Sequence, residues 1–107
     1  MSIEFVGNFR SVNGKWWKPS EFGADVVTVE QVEAGRELLR ALGRVGVRHV
    51  FAHRQSSASR GNDPGPDLWA NFGQWAIERL EFSDGGPGFS IGTGKPIPAE
   101  WRSNTTS

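Results

Sequence analysis

The sequence predicts an α/β domain built in the order strand, helix, strand, helix and followed by a Gly/Pro-rich tail. Three observations predict it. Two short segments, 2–6 and 47–52, are apolar and rich in β-branched or aromatic residues. Two longer segments, opening at Thr28 and Pro66, repeat their apolar residues at helical spacing. The stretch GGPGFSIGTGKPIPAEW near the end is dominated by turn-forming residues and reads as a wrapping segment.

Each element has its own justification. Residues 2–6 (SIEFV) form the first expected strand. A long connection from Asn8 to Asp25 carries Trp16, Trp17 and Pro19 and reads as a loop with aromatic anchors. Thr28 and Gln31 have capping-box spacing, in which each side chain satisfies a backbone donor at the helix start. Val32, Gly35, Leu39 and Leu42 then share one face, widened by Leu38, and Gly43 and Gly46 supply stop signals. Residues 47–52 form the second expected strand. A polar loop over 55–65 follows, and Pro66 suits the first turn of a second helix. Its apolar side is Leu68, Trp69, Phe72, Trp75, Ala76 and Leu80. The expected organisation is a partial α/β domain over 1–82 and a tail over 83–107, pinned by Phe89, Ile91 and Trp101. A helix between the two strands predicts that they run parallel with a right-handed crossover. Two strands do not make a self-sufficient sheet. The expected consequence is an open sheet edge through which copies of the chain associate.

Composition excludes several functional classes. The 107 residues carry 12 Lys+Arg against 12 Asp+Glu, so the chain lacks the basic footprint of a nucleic-acid binder. With no cysteine, disulfides and thiolate metal sites are ruled out. No apolar run approaches the roughly 18 residues of a membrane span. The opening MSIEFVGNF lacks the basic and long apolar regions of a signal peptide.

Chemistry concentrates in AHRQSSASRGNDPGP at 52–66. His53 ends the second expected strand, and Asp63 follows ten residues later, across a polar loop. One nitrogen and one oxygen ligand so placed can meet on a single zinc ion, although a catalytic zinc takes three protein ligands and an open position. The same residues also read as a polar histidine at a strand end and a turn- or helix-capping aspartate. His49, the other histidine, lies four residues from His53, roughly 13 Å away along a strand, and cannot share an ion with it. Ser56, Ser57 and Ser59 lie near His53 but lack an oriented base, and read as loop chemistry. GTGK at 92–95 fails the phosphate-loop pattern, with Phe89 where glycine is required and Pro96 following. Trp16, Trp17 and Trp101 serve either as core cover or as stacking faces for sugars. Asn104-Thr105-Thr106 is a formal glycosylation sequon in the tail.

AHR at 52–54, the polar loop, DPGP at 63–66 and the helix after it resemble the second half of a zinc amidase. The family is the type 2 N-acetylmuramoyl-L-alanine amidases, related to peptidoglycan recognition proteins and phage lysozyme-like amidases. SIEFVGN at 2–8 resembles the central strand of that fold, and TVEQVEAGRELLRAL resembles the helix that follows it. The similarity covers about residues 2–80. It implies a mixed sheet flanked by helices, here partial, with zinc held by His53 and Asp63. It implies that Glu4 matches the glutamate that acts on the attacking water. The position two before the aspartate, often cationic in that family, is Gly61, so Arg60 becomes the candidate for oxyanion stabilisation. The implied substrate is peptidoglycan or a muropeptide, in a location facing the cell wall.

One departure shapes the functional expectation. The family's first zinc histidine lies on a strand upstream of the SIEFVGN match, and here Met1 immediately precedes that match. Three alternatives follow. They are an amidase whose site another chain completes, a catalytically inactive peptidoglycan-binding module, and a fragment of a longer amidase.

Overall fold

The computed structural model describes residues 2–5, 9 and 27–103. Most of the connection between Asn8 and Asp25, with Trp16 and Trp17, and the Asn104 sequon lie outside the described residues. The elements are α1 (Val29–Arg44), α2 (Pro66–Leu68), a π-helical stretch over Trp69–Gly73, α3 (Gln74–Leu80) and α4 (Ala99–Ser103). Two 3-10 turns, His53–Gln55 and Ala58–Arg60, precede α2.

The capping box predicted for α1 is present. Gln31 N donates to Thr28 Oγ1 at 3.0 Å, and Thr28 N donates to Gln31 Oε1 at 2.9 Å. Gly35 and Leu39 are the buried positions of α1. Gly35 lies so close to the Phe72 ring that a side chain there would strike it. Leu38, expected to widen the buried face, is 41% exposed.

The segment opening at Pro66 runs helically through Leu80 but widens to π geometry in the middle. There Gly73 packs against the Trp69 indole, where a Cβ would collide. The Trp69 indole N–H donates to Gln74 Oε1, five residues on, at 3.2 Å. Leu68, Trp69, Phe72, Trp75 and Ala76 are all buried, as the periodicity predicted. α3 ends at Glu81, which takes left-handed geometry at φ 60° and turns the chain into the buried Phe82.

The predicted sheet is not present: among the described residues there is no strand. Residues 47–52 run extended but form one isolated parallel bridge, His49 with Ser83. Val50 N donates to Ser83 O at 3.0 Å, and Ser83 N donates to Arg48 O at 2.9 Å. The expected partner, residues 2–5, has no regular structure and uses its aromatic residue on a helix instead. Phe5 stacks on Phe72 with ring centroids 4.2 Å apart. The physical reason is one of number and length. A short apolar segment becomes a strand when neighbours complete its backbone bonding, and isolated pairs are marginal. Here Phe5, Val47 and Val50 pack in part against the larger apolar cluster while Ile3 and Phe51 stay exposed, so the parallel pair of 2–6 with 47–52 is overturned among the described residues. The sheet edge expected to drive association has no counterpart among the described residues.

Two apolar clusters hold the fold. The larger joins Leu39 of α1 to Phe72, Trp75 and Ala76, together with Phe9, Leu68 and Phe82. The smaller comprises Ala52, Trp69, Ile97 and Trp101. The C-terminal segment therefore contributes core, with Trp101 only 1% exposed. Of the three anchors expected there, Trp101 is buried, Phe89 is half-buried and Ile91 is 55% exposed, while Ile97 is an anchor the periodicity did not show. No helix among the described residues is long and apolar enough to cross a membrane.

Candidate metal and peptide site

The candidate site is built on the two 3-10 turns and the loop that joins them to α2. Ala52 is extended and packs into the smaller cluster, which fixes where the first turn begins. Gln55, 1% exposed, holds that turn from within. Its Oε1 accepts from Ala52 N at 2.8 Å and its Nε2 donates to Asp84 O at 3.1 Å. The second turn leads to Asp63, whose N–H donates to Arg60 O at 3.0 Å. Gly65, at φ 95°, then redirects the chain into α2, a left-handed geometry that favours glycine.

These constraints bring His53 and Asp63 together. His53 Nδ1 lies 3.4 Å from Asp63 Oδ2, and both side chains are about half exposed. That separation is longer than the roughly 2.7–3.2 Å of a formed N–H···O hydrogen bond. It matches the spacing of two ligands on one tetrahedral zinc, since bonds of about 2.0–2.2 Å put neighbouring donors about 3.3–3.5 Å apart. The donor chemistry also fits, because imidazole nitrogen and carboxylate oxygen are both zinc ligands. Among the described residues no group of three or more His, Asp or Glu side chains comes together, so no third candidate ligand joins His53 and Asp63 there.

Beside Asp63 lies a cavity of about 320 Å³. Its polar wall carries Glu4, Arg60, Asn62 and Asp63, and its apolar wall includes Phe5, Phe9 and Leu68. Glu4 and Arg60 thus share one cavity with Asp63. His53 is not part of the lining and meets the site through Asp63. Asn62 was not singled out by the sequence, yet it lines this cavity, and its Oδ1 is buried without a hydrogen-bond partner. A buried acceptor left unpaired is costly, so such atoms draw donors. Its position next to Asp63 was the one signal available beforehand.

Other sequence candidates resolve into structure. Ser56 Oγ lies 3.3 Å from the His53 carbonyl, and the Ser57 and Ser59 hydroxyls pair with each other at 3.0 Å. They are loop contacts. In the GTGK turn, Thr93 Oγ1 accepts from Ala58 N at 3.3 Å, and Gly94 packs directly on the Gln55 carbonyl. His49 is exposed and lies parallel to Phe51, with ring centroids 6.1 Å apart.

No family model, curated protein or solved structure matches this chain. The amidase resemblance therefore rests on the motif residues themselves.

Proposed function

We propose that this chain carries part of a zinc amidase centre. In this reading the cavity beside Asp63 takes the stem-peptide end of peptidoglycan. The chemistry is hydrolysis of the amide between N-acetylmuramic acid and L-alanine. The observation that carries the reading is the 3.4 Å separation of His53 Nδ1 and Asp63 Oδ2 beside a cavity that also holds Glu4 and Arg60. Zinc, when bound, supplies polarisation of the scissile carbonyl and a more acidic water. His53 and Asp63 would hold it. Glu4 takes a proton from the attacking water as the oxygen bonds to the carbonyl carbon, then returns it to the amine nitrogen as the C–N bond breaks. The Arg60 guanidinium offsets the negative charge that develops on the carbonyl oxygen. The apolar wall gives the lactyl and alanyl methyl groups a dry surface.

The two-ligand set among the described residues favours a second reading, a module that binds peptidoglycan without turning it over. Zinc titration calorimetry on the whole chain, together with release of stem peptides from purified peptidoglycan, separates the two. For a chain that carries only part of the centre, the expected result is zinc affinity in the micromolar range or weaker, lowered further in His53→Ala and Asp63→Ala, with little or no peptide release until the missing ligand is supplied. Zinc-dependent release that disappears in Glu4→Gln would establish turnover and a completed ligand set. Zinc binding untouched by both ligand substitutions would refute the metal assignment.

A further inference from the structure

We infer that Arg54 is the positioning residue of the His53–Asp63 pair, and that the C-terminal segment is a working part of the site through it. The inference rests on the metal-binding reading of that pair.

The pair itself has little to hold it. Both side chains are about half exposed and ten residues apart on a polar loop, so packing does not set their separation. Arg54 does. Its backbone N–H donates to Asp63 O at 3.0 Å, tying the residue after His53 directly to the other ligand. Its Nη1 donates to Gly61 O at 2.6 Å, fixing the loop two residues before Asp63. Its Nε donates to Pro96 O at 2.7 Å, and its own carbonyl accepts from Lys95 N at 2.9 Å. One residue thus joins the His53 turn, the Asp63 loop and the C-terminal segment.

The guanidinium suits this task because its donors leave a rigid plane in fixed directions, whereas an ammonium on a flexible stem presents no such fork. Its own orientation is set by the tail. The Arg54 guanidinium carbon lies 5.6 Å from the centroid of the buried Trp101 ring, within cation–π range. Residues 91–96 press on the same turn. Ile91 N donates to Gln55 O at 2.7 Å, and a Cβ at Gly94 would collide with that carbonyl. Metal ligands must keep their distances to within about 0.2 Å. A loop released from Gly61 and Pro96 loses that control while the helices stay packed.

The test compares the wild-type chain with Arg54→Ala, Arg54→Lys and a core variant, Leu39→Val. Zinc calorimetry and metal-free amide hydrogen exchange are both measured. The expected result is at least a tenfold loss of zinc affinity in R54A, a smaller loss in R54K and none in the Leu39 variant. Exchange at the amides of residues 54 and 95 should rise in R54A alone. Should R54A not fold, R54K carries the comparison, with a loss of threefold or more expected. Wild-type zinc affinity in a folded Arg54 variant overturns the inference, whatever its melting temperature. If the wild type takes up no zinc, the metal reading fails separately. The exchange data then decide: faster exchange at 54 and 95 upholds the positioning role, and unchanged exchange overturns it.

Discussion

Replacing Trp101 with alanine tests whether the C-terminal segment belongs to the core. Trp101 is 1% exposed and packs with Ala52, Trp69 and Ile97. Burying an indole removes about 150–250 Å² from water. At about 25 cal/mol per Å² that amounts to about 4–6 kcal/mol. Extended-chain references overstate burial, so the area figure is an upper bound. Large-to-small substitution of a buried Trp costs about 3–5 kcal/mol, which includes the cavity left behind. The lost cation–π contact with Arg54 adds about 0.5–1 kcal/mol. Against a total stability of about 5–15 kcal/mol, the variant should be near the edge of folding. Urea denaturation followed by far-UV circular dichroism should show the midpoint falling sharply with little change in slope. Thermal unfolding should move down by more than about 12 °C, since each kcal/mol is worth about 4–8 °C in a domain of this size. Trp101→Phe should recover more than half of the loss. A loss below about 1 kcal/mol in W101A would refute the docking of α4 and, with it, the support beneath Arg54.

Two further outcomes follow from the charged groups. Asp84 is 2% exposed, and its Oδ2 lies 2.7 Å from Arg102 Nη2, so Arg102→Ala leaves a buried carboxylate short of its cation. Chemical denaturation should show a loss of about 3 kcal/mol, with part recovered when Asp84→Asn is added. On the surface of α1, the hydrogen bond from Arg44 at 3.2 Å, followed by that from Arg40, holds the Glu37 carboxyl below its ordinary value. A carboxyl depressed in the folded state contributes stability above its unfolded value and loses it as pH falls through the folded one. Glu37→Gln should therefore flatten the acid side of a melting-temperature profile slightly, an effect that high salt removes.

Much of the helical structure was legible because it is written locally. The Thr28–Gln31 box and the apolar spacing from Leu68 to Ala76 each depend on residues a few positions apart. The meeting of His53 with Asp63 was legible in a different way. It came from a motif resemblance, and the structure adds the 3.4 Å separation. The sheet was misread because a β-branched run reports only that a segment is apolar and extended, which 47–52 is. Whether it pairs depends on a neighbour, and Phe5 stacks on Phe72 instead.

The sequence by itself determined where the helices opening near Thr28 and Pro66 start, which of their faces are apolar, and which side chains near the polar loop are of metal-binding type; the helix over Ala99–Ser103 was not among its signals. Local propensity and side-chain chemistry are properties of residues within one or two turns of each other. Only the tertiary structure decided that Phe5 and Val50 pack against a helical core rather than into a sheet, that Gly94 must be bare to pass the Gln55 carbonyl, and that Arg54 links His53, Asp63 and the tail. Those outcomes depend on contacts between residues distant in sequence, such as Phe5 with Phe72 and Arg54 with Pro96. No local pattern encodes such contacts, because they form only when the whole chain has closed around its two clusters.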